Sequence, residues 1–389
     1  MRQLSQRRGI GNRTGKLTKK EVKNLIVGCG LSGIVLAERL ATVCNEKVLI
    51  IDKRAHVGGN IYDYKDKNGI TVHKYGPHVF HTNDRNVWNY LSRFTDWHYF
   101  MYRVKAVIDG REVNIPFNLD SLHKVFPAKM AEKQEAKLIE KFGFNVKVPI
   151  LELKKSKDAD LEFLAQYVYE KVFLGYTVKQ WGVRPEDLDA SVSGRVPVYV
   201  SRDDRYFQDK YQAIPADGYT QMVENILDHP NIEVMLNTEF SAVKNDISCE
   251  RLFFSGPIDE FFDYKFGELP YRSLDLRFEE FDTAFYQSGS QMNYPENYDF
   301  TRSVEYKYYL DEKSAKTVVS FEYPEAFERG RNERYYPIPD KENQVLYDRY
   351  LQEAAKLKNI YFLGRLGDYK YYNMDQTVAR ALELFEKVK

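Results

Sequence analysis

Gly28, Gly30 and Gly33 stand at the spacing that holds a dinucleotide. They lie in Gly28-Cys29-Gly30-Leu31-Ser32-Gly33, between the apolar run Leu25–Val27 and a helical pattern. Gly28 lets the chain turn sharply, Gly30 lets backbone approach a pyrophosphate, and Gly33 lets helix and strand pack closely. A helix N-terminus opening at Leu31-Ser32 would turn its free N–H groups toward phosphates. A second apolar run, Val48–Ile51, ends in Asp52, near the spacing of an acid that accepts ribose hydroxyls. Lys53-Arg54 follow, then the pair Gly58-Gly59 and Asn60. A plain glycine-rich turn explains neither Asp52 nor that second pair. Glycines beyond the acid are commoner in FAD-binding Rossmann domains than in NAD-binding ones, so a flavin is the favoured cofactor.

Other residue types capable of chemistry are less specific. His78 and His81 have a His-x-x-His spacing, but no third ligand pattern follows, so no metal site is expected. Cys29, Cys44 and Cys249 are scattered and odd in number, which suits a reducing, cytoplasmic setting. Near the C-terminus an apolar run at 360–364 leads into Gly364-Arg365-Leu366-Gly367. In doubly wound folds ligands sit outside the carboxyl ends of strands, so Arg365 could reach the pyrophosphate from the side opposite the first glycines.

Composition excludes several classes. The chain has 389 residues, enough for two or three domains, and its 57 basic and 57 acidic residues cancel. No global field draws it to nucleic acid or an anionic membrane, and no apolar run is long enough to span a bilayer. Residues 1–20 carry seven Arg/Lys and no signal-peptide core, and read as a flexible basic tail.

The elements that must position these residues follow from periodicity. Residues 22–60 read strand, helix, strand; 84–94 read as a helix with Val87, Trp88, Leu91 and Phe94 on one face; 103–117 read as a hairpin turning at Asp109-Gly110. Residues 120–190 are mostly helical in pattern, and 197–200 with the polar stretch after them read as loop. A helix at 218–227, strands at 232–236 and 251–255, and a C-terminal helix at 375–388 complete the nucleotide domain. Between 270 and 324 tyrosines and phenylalanines alternate as in an antiparallel sheet.

Four further motifs occur in order: Tyr75-Gly76-Pro77-His78-Val79-Phe80-His81-Thr82, Gly175-Tyr176-Thr177-Val178-Lys179-Gln180-Trp181-Gly182, Gly218-Tyr219-Thr220-Gln221-Met222 and Gly364-Arg365-Leu366-Gly367. With the glycine turn and Gly58-Gly59-Asn60, they make the chain resemble UDP-galactopyranose mutases of the prokaryotic type from about Val22 to the C-terminal helix. The resemblance implies an isomerase that interconverts UDP-galactopyranose and UDP-galactofuranose with no net redox change, on an FAD active when reduced. In that family's mechanism the reduced flavin N5 attacks the anomeric carbon, UDP leaves, the adduct opens and recloses as the smaller ring, and UDP returns. The product is a furanose precursor for cell-surface glycans.

The resemblance also assigns residues. Arg195, on a segment that is a mobile lid in the family, and Arg302 match its diphosphate arginines, and His81 lies near flavin and sugar as a third catalytic candidate. Phe173 and Tyr176 match the uracil site; Tyr206, Tyr335 and Tyr371 match tyrosines that reach the phosphates; Trp181 borders the sugar and uridine. Flavin contacts are expected from Gly28, Gly30, Ser32, Gly33, Asp52, Lys53, Gly59, Asn60, His78, Arg365 and Met374. Asn373 departs from the pattern, standing where the family often carries an acid. That change brings strict galactose specificity into question and admits an N-acetylated sugar nucleotide.

The expected fold class is α/β: an FAD-binding Rossmann-like domain (21–102, 203–257 and 341–389), an inserted helical domain (119–202, lid near 190–202) and an antiparallel sheet domain (103–118 and 258–340). A homodimer or higher homo-oligomer is expected. Two other readings stand beside the mutase: a flavin-dependent oxidoreductase of the amine-oxidase kind, which shares the Rossmann front end, and a non-catalytic nucleotide-sugar or flavin-binding protein. Fold alone does not choose among them.

Overall fold

Five parallel strands form the nucleotide-binding sheet in the order Ile232–Met235, Val48–Ile51, Lys20–Val27, Ile247–Phe254, Ile360–Phe362. They belong to a computed structural model that describes residues 20–182, 184–187, 197–338 and 340–389. The strands come from the start, the middle and the end of the chain. Val48–Ile51 is apolar and buried throughout, and Leu25–Ile26 and Leu252–Phe254 are the buried stretches of the two strands on its other side. The Leu31–Val43 helix and the C-terminal Met374–Val388 helix share one core, through Ile34, Val35, Ala37 and Leu40 on the first and Val378, Ala381, Leu384 and Phe385 on the second. Lys20, at the edge of the stretch read as tail, is instead the first residue of the first strand. Its ammonium donates to Glu233 at 2.7 Å. The rest of that tail lies outside the described residues.

A second sheet has seven strands in the order Tyr336–Pro337, Tyr271–Phe281, Thr317–Ala326, Arg302–Glu305, Gln291–Asn293, Val104–Ile108, Arg111–Ile115. Its pairings are antiparallel except one: Gln291–Asn293 runs parallel to Val104–Ile108. That seam joins two segments distant in sequence, so no hairpin dictates its direction. The hairpin at 104–115 turns on Asp109 and Gly110, with φ of 48° and 73°, the left-handed pair a tight two-residue turn requires. In register, Arg302 faces Glu322 on one side and Asn293 on the other. Directly paired residues project to the same face, so these three polar side chains form one row across the sheet.

The insertion at 119–182 is mostly helical, and its last stretch bears on function. The Ala159–Val168 helix runs into a π-helical segment, Tyr169–Leu174, and then into Gly175–Trp181. Such segments are rare and cluster at functional sites. One correction concerns Val198–Val200, read from sequence as loop. It is a strand paired antiparallel with Val146–Val148, itself inside the stretch read as helix. Each is three residues long, too short to show alternation, and each exists only through a partner about fifty residues away.

Candidate active site

The glycine turn forms a cradle that side chains would fill. Gly28 has φ 105°, and a Cβ there would lie 2.1 Å from Ser255 Oγ; at Gly33 it would lie 2.2 Å from the Gly28 carbonyl oxygen. Gly30 differs, because the nearest atom to its added Cβ is the Cα of Gly59 at 3.9 Å. Its requirement for glycine therefore points outward, toward a ligand. Gly59, at φ 57°, packs back on Gly30, and the Gly58 N–H donates to the Cys29 carbonyl at 2.9 Å, so the two glycine turns abut. The Leu31–Val43 helix starts from Gly30 without a side-chain cap, leaving its first amides to an anion. This cradle fits a dinucleotide pyrophosphate.

Asp52 accepts from the Cys29 N–H at 2.7 Å and from the Arg54 N–H at 2.8 Å. A carboxylate has about four lone-pair directions, so room for ribose hydroxyls remains. Asn60 accepts from Arg54 at 2.9 Å, while Lys53 is exposed, 3.7 Å from Glu333. Ser32 lies under Gly364, whose added Cβ would come within 2.7 Å of its Oγ. Thus the C-terminal Gly364-Arg365 turn closes over the first helix. Met374 opens the C-terminal helix and packs on its core.

The histidine loop divides the two predicted histidines. The His78 N–H donates to His73 Nδ1 at 3.1 Å, and the His78 ring meets the Gly76 carbonyl at 2.9 Å. Burial pushes both His73 and His78 down to about 3, so both rings are neutral. His81 is held 2.8 Å from Asp209, with its ring stacked on Phe207 at 3.5 Å. It is not part of the cleft wall, which Tyr206 reaches instead; Phe207, on which His81 stacks, lies 4.8 Å from the Tyr206 ring. Among the described residues no group of three or more His, Cys, Asp or Glu could hold a metal.

A cleft with a cavity volume of about 180 Å³ lies between the Gly175–Trp181 helix and the seven-stranded sheet. Phe173, Tyr176, Trp181, Tyr206, Arg302 and Tyr371, all anticipated from sequence, line it together. The π-helical segment aims Val172 and Phe173 into the cleft, and Tyr176, Thr177, Gln180 and Trp181 follow at helical spacing on the same wall.

Among the described residues, Arg302 is the cation on the cleft wall. Its Nε and Nη2 both donate to Glu322 Oε2, at 2.8 and 2.5 Å, and the Glu322 side chain is only 2% exposed. Burial opposes its charge most strongly, but Glu322 together with Tyr176, Tyr336 and Tyr102 outweighs burial and holds Arg302 firmly protonated. Burial also pushes Tyr176 up strongly and Tyr336 up to about 12, so their phenols stay neutral and can donate to an anion.

The tyrosine expected at 335 shifts by one. Tyr336 lines the cleft, stacks on Tyr371 at 5.5 Å and lies 6.0 Å from Trp181, whereas Tyr335 is buried behind it and absent from the wall. Successive residues of an extended strand face opposite ways, so a motif of two adjacent tyrosines does not say which one faces in. Arg365 lies 4.8 Å from the Tyr371 ring and 5.4 Å from Tyr336, and donates to the Tyr372 carbonyl at 2.7 Å. It buttresses the cleft tyrosines. Asn373 is not on the wall; it is the N-cap of the C-terminal helix, and its N–H donates to Gln376 Oε1 at 2.9 Å. Arg195 and most of the expected lid fall outside the described residues.

Sequence reasoning missed Gln291, Asn293 and Tyr336 on the wall, and Glu322 behind Arg302. Gln291 accepts from Tyr102 and is braced with Asn293 at 2.9 Å. The usable signal was strand register, since Asn293, Arg302 and Glu322 are paired neighbours.

Residues 171–371 match the profile of the family described as UDP-galactopyranose mutase, and residues 26–94 match that of the NAD(P)-binding Rossmann-like domain. The chain is 41% identical over 365 residues to a probable UDP-galactopyranose mutase of Klebsiella pneumoniae, covering 92% of each chain. It is 38% identical over 373 residues to a dTDP-fucopyranose mutase of Escherichia coli, covering 93% of this chain and 97% of that one. A crystal structure of a reduced UDP-galactopyranose mutase superposes with a TM-score of 0.71 at 16% identity, covering 94% of this chain and 93% of that one, a likeness of fold. Among the described residues no helix is long and apolar enough to cross a membrane.

Proposed function

Because the chain belongs to the UDP-galactopyranose mutase family, we propose that it interconverts UDP-galactopyranose and UDP-galactofuranose in the cleft around Arg302, with FAD held on the glycine cradle. The observation that carries this reading is Arg302 itself: a half-buried guanidinium, charge-locked by the buried Glu322, inside an aromatic cleft. A flat base has rings to stack on in Phe173 and Tyr176, and a diphosphate has a planar fork plus the neutral phenols of Tyr336 and Tyr176.

FAD would be held by Gly28, Gly30, Ser32, Gly33, Asp52 and Gly59, and when bound and reduced it supplies the nucleophile that no side chain of the cleft offers. The protein's own share is electrostatic and positional. Arg302 stabilises charge that develops on the departing diphosphate, and Arg195 is its proposed partner through the family pattern. Keeping the diphosphate in the cleft makes its return to the sugar effectively intramolecular. Closing the cleft excludes water that would otherwise hydrolyse the reacting sugar.

A second substrate reading rests on the 38% relative: the cleft accepts a dTDP-6-deoxysugar. The N-acetylated sugar nucleotide suggested by the family pattern at Asn373 draws no support from the cleft wall, because Asn373 caps the C-terminal helix instead. The experiment is a parallel assay of dithionite-reduced protein with UDP-galactopyranose, UDP-N-acetylgalactopyranose and dTDP-fucopyranose, products separated chromatographically. The proposal expects the first to give the highest kcat/KM. Faster turnover of either other nucleotide would reassign the substrate, and purified protein that is colourless and cannot be reconstituted with FAD would remove the mechanism.

A further inference from the structure

Lys179 sits in the middle of the Gly175–Trp181 helix, yet it does not line the cleft. Its ammonium reaches across to the sheet and donates to the backbone carbonyls of Tyr294, Glu296, Tyr298 and Phe300, the last three at 3.0, 3.2 and 3.3 Å. These alternate carbonyls belong to the loop joining Gln291–Asn293 to Arg302–Glu305, closed at its base by the Tyr294 N–H on the Thr301 carbonyl at 2.8 Å. Carbonyl dipoles turned inward on one point repel one another unless a cation sits among them. Lys179 is that cation, with three N–H bonds shared by four oxygens. Burial lowers it to about 8, which leaves it an ammonium at neutral pH.

The loop carries part of one cleft wall, and the helix is the other. Asn293, Pro295 and Arg302 line the sheet side; Tyr176, Thr177, Gln180 and Trp181 line the helix side. The two walls touch at Gly175, where an added Cβ would lie 2.2 Å from the Pro295 carbonyl oxygen. Arg272, from the Tyr271–Phe281 strand, braces the far end of the same helix by donating to the carbonyls of Gln180 at 2.9 Å and Lys179 at 3.2 Å. A cation at a helix C-terminus is favoured by the helix dipole. Lys171 adds a third link, to Glu296 at 2.7 Å and Asp109 at 2.6 Å. Among these ties only Lys179 gathers the backbone of the loop that ends at Arg302.

We propose that Lys179 is a positioning residue, a clamp that fixes the loop before Arg302 against the helix bearing Tyr176 and Trp181 and so sets the width of the nucleotide-sugar cleft. It touches neither nucleotide nor sugar. Its effect falls on binding held equally in ground and transition states, because both walls are used throughout turnover. The inference rests on the mutase reading for its substrate, but its test includes a readout that does not.

The test compares flavin-loaded wild type, Lys179→Met and Lys179→Arg. Met keeps the length of the side chain and removes the donors; Arg keeps charge and donors. Lys179→Met is expected to raise the Kd for UDP and the KM for UDP-galactofuranose at least about tenfold, with kcat within about threefold and flavin content unchanged. Lys179→Arg is expected to recover most of the lost affinity. UDP binding, measured by calorimetry, needs no turnover, so a wild type inactive toward UDP-galactofuranose would defeat the mutase reading while the clamp is still judged by UDP affinity. If Lys179→Met does not fold, Lys179→Gln, which keeps two donors without charge, carries the same expectation. Unchanged UDP affinity in a flavin-loaded Met or Gln variant, or an Arg variant as impaired as Met, overturns the proposal.

Discussion

Replacing Arg302 with alanine removes a cation and strands an anion. Two donors of Arg302 meet one oxygen of Glu322, at 2.8 and 2.5 Å, and that carboxylate is 2% exposed, with Thr301 Oγ1 at 3.3 Å as its other side-chain partner. Breaking a buried pair by deleting one member costs about 3–5 kcal/mol, because the remaining charge stays uncompensated. At roughly 2.1 cal/mol/K per residue over 389 residues, that corresponds to a fall in Tm of about 4–6 °C. Turnover loses charge-assisted bonds to the diphosphate, each worth about 1.5–3 kcal/mol. The stranded carboxylate also repels the phosphates. Arg302→Ala is therefore expected to lower kcat/KM about a thousandfold, a change of about 4 kcal/mol, while keeping its flavin. The double variant Arg302→Ala/Glu322→Gln removes the stranded charge. It should regain most of the lost Tm and about tenfold in kcat/KM, still far below wild type. Scanning calorimetry and chromatographic assay of the reduced enzymes give both numbers. A double variant no more stable than the single, or loss of flavin in both, would refute the assignment of Arg302 to a substrate site balanced by Glu322.

Gly30→Ala should fold normally and fail to retain FAD, since its added Cβ meets no protein atom closer than 3.9 Å; Gly33→Ala, 2.2 Å from the Gly28 oxygen, should lower Tm as well as flavin content. Tyr336→Phe should weaken UDP binding several-fold and Tyr335→Phe should not, because only Tyr336 lines the cleft; titration calorimetry separates them. For His73 and His78, held near 3 in the fold against 6.5 in the open chain, the unfolded state takes up protons first as pH falls. Stability is therefore fully present above about 6.5 and drops below it, by roughly 1.4 kcal/mol per pH unit for each ring. His73→Asn, which keeps an acceptor for the His78 N–H, should lessen the loss of Tm between about pH 7 and pH 5.

What could be read from the chain depended on whether the physical requirement was local. The glycine turn was legible because Gly33 is demanded by the Gly28 carbonyl five residues away and Gly28 by its own positive φ. Phe173, Tyr176 and Trp181 were legible as a motif on one wall, although nothing in Tyr169–Leu174 announces a π-helix, whose cost is met by packing elsewhere. Cross-strand facts were hidden. Glu322 matters through its pairing with Arg302, and Lys179 through a loop about 115 residues away, and neither partnership leaves a periodic trace. The shift from Tyr335 to Tyr336 is the same lesson at its smallest scale, since a slip of one residue turns a strand side chain to the opposite face. His81 is held by Asp209, a contact across 128 positions that no local pattern announces.

The central claim is that reduced flavin, beside a diphosphate steadied by Arg302, isomerises the sugar without consuming electrons. Its most direct measurement is conversion of UDP-galactofuranose to UDP-galactopyranose by one preparation, assayed first air-oxidised and then dithionite-reduced under anaerobic conditions, with flavin absorbance followed throughout. The account predicts near-zero conversion in the first state, many turnovers per flavin in the second, and a flavin still reduced at the end. Equal rates in the two states, or flavin reoxidised in proportion to product, would contradict it.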